Sequence, residues 1–78
     1  MWYRIVLKGG VQVIHESNDA FPEFLENATT PHPCTGNDWK YYRDTIVESI
    51  IAFRIDEIQY IMEAREDEII ALKDGRSK

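Results

Sequence analysis

Residues 45–62 read Thr45-Ile46-Val47-Glu48-Ser49-Ile50-Ile51-Ala52-Phe53-Arg54-Ile55-Asp56-Glu57-Ile58-Gln59-Tyr60-Ile61-Met62, and two folds compete for them. Wound as a helix, Val47, Ile51, Ile55, Ile58 and Met62 form one stripe, but Arg54 falls inside its apolar arc. Drawn out as strand, Val47, Ile51, Phe53 and Ile55 face one side, with Glu48 and Arg54 on the other. Composition breaks the tie. Thr, Ile, Val, Phe and Tyr dominate, side chains that suit a pleated surface, and Ala52 is the one strong helix former before Met62. The segment is therefore read as strands, broken at Asp56-Glu57 and resuming over Ile58 to Glu63. The rival is one long amphipathic helix from about residue 39 to 73.

Upstream, Tyr3, Ile5 and Leu7 alternate with Trp2, Arg4, Val6 and Lys8, and Val11, Val13 and His15 alternate with Gln12, Ile14 and Glu16. Gly9-Gly10 between the two runs suits the positive φ values of a two-residue primed turn, so the N-terminus predicts a β-hairpin. Ser17-Asn18-Asp19 then supplies N-cap candidates, and Pro22 suits a first helical turn. A short helix over about 19–28 would pack Phe21, Phe24, Leu25 and Ala28 on the hairpin. Thr29 to Asp38, with Pro31, Pro33 and Gly36-Asn37, reads as loop. Downstream, Ala64 to Lys73 favours a C-terminal helix stopped at Asp74-Gly75, followed by a frayed Arg76-Ser77-Lys78. The expected fold is α+β, a single small domain over 1–78. It comprises an N-terminal β-hairpin, a short helix, further antiparallel strands forming a small sheet or barrel, and a C-terminal helix.

At 78 residues the chain has room for one domain with a thin stability margin. Cys34 is the only cysteine, which excludes an intrachain disulfide and suits a reducing compartment. Self-association is the remaining supplement, so a homo-oligomer is expected. The N-terminal apolar run is too short and interrupted for a signal sequence, and no run is long enough to span a bilayer. The expected location is the cytoplasm, with no membrane partner. The formal net charge of -5 is shared by both parts of the chain. Up to Tyr42 three cations face five acids, and beyond it six face nine. Phosphate-driven DNA or RNA binding needs clustered Lys and Arg and is not expected. Acidity favours solubility and attraction to a basic protein surface.

The run Ile5-Val6-Leu7-Lys8-Gly9-Gly10-Val11-Gln12-Val13 resembles the first motif of the Sm-like small barrels, a strand, a glycine turn and a return strand. Phe53-Arg54-Ile55-Asp56-Glu57-Ile58-Gln59-Tyr60-Ile61 is similar in outline to their second motif, with Ile55 where that family has glycine. The likeness covers about a third of the chain and implies a small β-barrel without implying RNA binding. In length, acidity and outline the chain also resembles small accessory proteins of phages and prophages. That resemblance implies an inhibitor of a host protein, or a sponge acting against host defence.

His32 and Cys34 are too few for a structural zinc site, which takes four ligands, and no orienting group completes a Cys-His nucleophile. Gly9-Gly10 matches no phosphate-binding fingerprint. Asp56-Glu57 and Glu66-Asp67-Glu68 have no His, Lys or metal partner nearby in sequence and suit a solvated acidic face. No catalytic constellation, cofactor or metal is therefore expected. The candidate binding residues are Trp39, Lys40, Tyr41, Tyr42 and Arg43, since interleaved aromatics and cations anchor interfaces or stack on bases. The competing reading buries Trp39 and Tyr41 on one face of a strand while Lys40 and Arg43 reach outwards. The functional expectation is a non-enzymatic, oligomeric inhibitor of a host protein with an acidic and aromatic surface. The alternative is a sponge holding a small signalling nucleotide between subunits, using Trp39, Tyr41, Tyr42 and Arg43 with Arg4 or Lys8.

Overall fold

The computed structural model describes residues 1–77, and the side chains of residues 1–75. The fold is α+β. The elements are β1 (Trp2–Leu7), β2 (Gln12–Glu16), α1 (Phe21–Thr29), β3 (Trp39–Asp44), β4 (Ser49–Arg54), a 3-10 turn (Ile55–Glu57), β5 (Ile58–Ala64) and α2 (Glu66–Ser77). Strands β2-β1-β5 form one antiparallel sheet and β3-β4 a second, so the long helix over 39–73 is overturned. The β-branched and aromatic composition of residues 45–62 outweighs their helical stripe.

The hairpin forms, with one difference in its turn. Ile5 pairs with Val13 and Tyr3 with His15, which leaves Lys8, Gly9 and Gly10 as a three-residue loop. Its bonds run from the Leu7 amide to the Val11 carbonyl (2.8 Å) and from the Gly10 amide to the Leu7 carbonyl (3.1 Å). A two-residue turn at Gly9-Gly10 would shift the register by one and set Val13 opposite Val6, so that the two apolar rows faced different ways. The third loop residue prevents this, and positive φ at Gly9 (93°) and Gly10 (90°) makes it possible.

Each face of the three-stranded sheet buries something different. One face carries Tyr3, Ile5, Leu7 and Val13, which pack with Phe24 and Ala28 of α1 and Phe53 of β4. Ile14 and Ala64 on the other face pack with Ile69 of α2. Arg4 is pinned there by Glu68 at 2.7 Å, and Lys73 lies 5.3 Å over the Trp2 ring. Helix α1 begins at Phe21 rather than near Asp19, with Ala20 as its unassisted cap. The polar residues before it are otherwise engaged. Ser17 Oγ accepts from the Asp19 amide, and the Asp19 carbonyl accepts from the Tyr3 hydroxyl.

Strand β4 starts later than the sequence suggested, because Val47 and Glu48 belong to the turn after β3, with Glu48 at φ 57°. Helix α2 passes through Asp74-Gly75 to Ser77, since Gly75 does not take the positive φ of a stop. Lys78 lies outside the described residues.

Asp44 joins the two sheets. Its Oδ2 accepts from the Ile14 amide of β2 at 3.1 Å, and its Oδ1 accepts from the Ile46 and Val47 amides at 2.8 and 2.9 Å. The Thr45 amide donates to the Ile14 carbonyl at 2.7 Å. One buried carboxylate therefore closes the β3–β4 turn and moors it to the edge of β2.

Candidate functional site

All five candidate residues lie on β3, and the pleat divides them. Trp39, Tyr41 and Arg43 point outwards, while Lys40, Tyr42 and Asp44 point inwards. The arrangement that buried Trp39 and Tyr41 is overturned, and Tyr42 takes that role. Its ring meets His15 edge-on at 4.8 Å, stacks towards Phe53 at 5.9 Å and leans on Phe24 at 5.7 Å. Burial, and after it the Asp19 carboxylate, raise the Tyr42 phenol above its ordinary range. His15 Nδ1 donates to the Arg43 carbonyl at 3.0 Å and so fixes this end of the strand. Lys40 is half-buried and borders a shallow recess with Glu26, His32 and Pro33.

The alternation follows from β4. Phe53 sits opposite Lys40 and Ile51 opposite Tyr42, both facing the core, and Phe53 is 3 % exposed. Outside, Trp39 faces Arg54, Tyr41 faces Ala52 and Arg43 faces Ile50. These are the closely spaced, non-hydrogen-bonded pairs of the ladder, because the Ile55 amide donates to the Asp38 carbonyl (2.8 Å) and bonded pairs alternate from there. No element among the described residues covers this face, and Trp39, Tyr41 and Ile50 are 46 %, 64 % and 68 % exposed. It is an aromatic and aliphatic strip flanked by two arginines, Arg43 at one end and Arg54, beside Asp38 and Asp56, at the other.

Ile50 and Arg54 belong to this face but are not among the candidate binding residues, because they lie in a different run from Trp39; the sequence places Arg54 only on the side of its strand away from Phe53. The period-two alternation of 49–54 was the available signal. Arg54 makes long contacts with Asp38 (3.5 Å) and Asp56 (3.6 Å). Beside Trp39, a cleft of about 290 Å³ is lined by Leu7, Lys8, Val11, Ala52, Phe53, Arg54 and Glu57. Lys8 therefore stands near the candidate residues. Arg4 does not, since it lies beneath α2, paired with Glu68.

The acidic runs have partners that the sequence did not reveal. Glu68 is paired with Arg4 and, at 3.5 Å, with Arg65, and Asp56 with Arg54. Glu66, Asp67 and Glu68 occupy the first turn of α2, where the positive end of the helix favours them. The Cys34 amide donates to His32 Nδ1 at 3.2 Å, and the Cys34 side chain is exposed. Among the described residues no group of three or more His, Cys, Asp or Glu is placed to hold a metal ion. No helix there is long and apolar enough to cross a membrane. No family model, curated protein or solved structure matches the chain.

Proposed function

We propose that the chain is a non-enzymatic, self-associating binding protein that inhibits a host protein in the cytoplasm, as small phage accessory proteins do. Its contact surface is the outer face of β3–β4. One observation carries this reading: Trp39, Tyr41 and Ile50 are left in solvent on a regular sheet, with Arg43 and Arg54 at their sides. A small domain gains stability by burying large aromatics, so exposing two of them side by side costs stability that a partner would recover. Trp, Tyr and Arg are also the residue types most often found at the energetic centre of interfaces. The complementary partner surface is an apolar groove with basic residues at the part of its rim that meets Asp38 and Asp56.

The test is capture of the host partner by immobilised protein, comparing wild type with Trp39→Ala and Tyr41→Ala. Each substitution is expected to weaken binding at least about 30-fold, the equivalent of about 2 kcal/mol for a central interface residue. Because both side chains point away from the core, the thermal midpoint should stay within about 4 °C. Undiminished capture by both variants would dismiss this face as the contact surface.

A second reading draws on the cleft beside Trp39. An indole at its rim with Lys8 and Arg54 on its walls offers a stacking surface and two cations to a small signalling nucleotide. A rise in thermal midpoint with a nucleotide, lost in Lys8→Ala, would favour the sponge over the inhibitor.

A further inference from the structure

Strand β4 presents an open edge whose hydrogen-bonding groups can be assigned. Since Ile55 and Asp38 form a bonded pair, Ser49, Ile51 and Phe53 direct their amides and carbonyls to β3. Ile50, Ala52 and Arg54 direct theirs away, and among the described residues β4 has no second neighbouring strand. Exposed edges are normally protected by charge, proline, a bulge or a covering element. The one charge within β4 is Arg54 at its end; from Ser49 to Phe53 there is neither a charged residue nor a proline, and the register with β3 is regular throughout.

We propose that this edge pairs antiparallel with β4 of a second copy, about a two-fold axis at Ile51. Only Ile50, Ala52 and Arg54 offer free groups, so the register can move only in steps of two. Two registers overlap most of the strand. Centring on Ala52 sets Arg54 opposite Ile50 and brings the turn carrying Glu48 up to the 3-10 turn carrying Asp56 of the partner subunit, two carboxylates. Centring on Ile51 sets Ile50 opposite Ala52 and brings Arg54 to the end of the partner's strand, beside Glu48 of the partner subunit in the adjoining turn, once on each side of the axis. Opposite charges brought together at the ends of a strand pair favour it and like charges oppose it, which selects the Ile51 register. Both groups are available. Arg54 holds its own-chain acids only at 3.5 and 3.6 Å, and Glu48 has no ion pair among the described residues.

The product is a closed, four-stranded β3-β4-β4-β3 sheet with Trp39, Tyr41 and Ile50 repeated across one continuous face. This deepens the proposed function and rests on its self-association, giving it a definite edge, register and copy number. A two-fold pairing uses both edges and stops at two copies.

Size-exclusion chromatography with light scattering on the full chain tests it, with an expected mass of twice 9.1 kDa. Glu48→Arg sets arginine against arginine and should raise the dimer dissociation constant at least tenfold. Adding Arg54→Glu should restore pairing. Ala52→Pro removes an outward-facing amide without touching the bonds to β3, and should give a monomer with the wild-type circular dichroism spectrum. Should that variant misfold, the charge exchange still tests the register. A monomeric wild type, a mass above two copies, or a dimer indifferent to Glu48→Arg would overturn the proposal. Trp39→Ala should remain dimeric while losing partner capture, so failure of the pairing and failure of the contact face give different results.

Discussion

Phe24→Ala leaves the chain largely unfolded at 37 °C, with loss of its cooperative thermal transition by circular dichroism. Phe24 is 2 % exposed and its ring is shared by three neighbours. It stacks on Tyr3 at 4.2 Å, lies 5.9 Å from His15 and 5.7 Å from Tyr42. It is thus the point where α1, the hairpin and β3 meet. Truncating a buried phenylalanine costs about 3–5 kcal/mol in lost transfer free energy and residual cavity. A domain of this length holds on the order of 4–12 kcal/mol in total. The loss is therefore a large share of the whole. Phe24→Leu, which retains most of the apolar volume, should keep a cooperative transition at a lower midpoint. Should Phe24→Ala melt within a few degrees of wild type, this cluster does not hold the fold together.

The same cluster makes the fold sensitive to alkali. Burial first, then the Glu63, Asp19 and Glu23 carboxylates, raise the Tyr3 phenol above its ordinary value. The unfolded chain releases this proton near pH 10, before the native state does. The sign follows: stability is fully retained below that pH and falls as pH rises towards the native value, because the unfolded state is the one favoured by ionisation. Tyr3→Phe should flatten this loss.

Asp44→Ala is expected to produce the second large effect, on the order of 3 kcal/mol or more. Three amides lose their acceptor, and the Ile14 amide is left inside the structure with no replacement. The effect should be localised. The β3–β4 turn loses its closure and β2 its mooring, so amide exchange should accelerate first at Ile14, Ile46 and Val47. Asp44→Asn separates the two roles, since its single remaining oxygen can serve either Ile14 or the turn, but not both. An intermediate midpoint is expected for it. Uniform exchange across the chain in Asp44→Ala would show that the carboxylate does not act as a joint.

The proposed contact surface on the outside of β3–β4 gives the exposed aromatics and the open edge one common setting. A strand pair with one face in the core and one in solvent offers two means of association, side chains from the face and backbone from the edge. The acids around α2 pair with Arg4 and Arg65, away from that face, whereas Asp38 and Asp56 flank Arg54 at its rim.

The local features were readable from residue order alone. Alternation in Tyr3-Ile5-Leu7, the positive φ of the paired glycines (though not the length of their loop), the proline-bounded loop and the β-branched run at 49–54 each follow from short-range sterics, which act between neighbours in the chain. Which side of β3 would be buried was a different kind of question. Trp39 and Tyr41 are as apolar as Tyr42, and the choice between them came from residues far along the chain. Phe24, Phe53 and His15 converge on Tyr42, and Asp44 fixes the strand's rotation by binding the Ile14 amide. Burial is shared among partners distant in sequence, so it is settled only when the layers close. The pattern along β3 showed an alternation, and packing chose its direction.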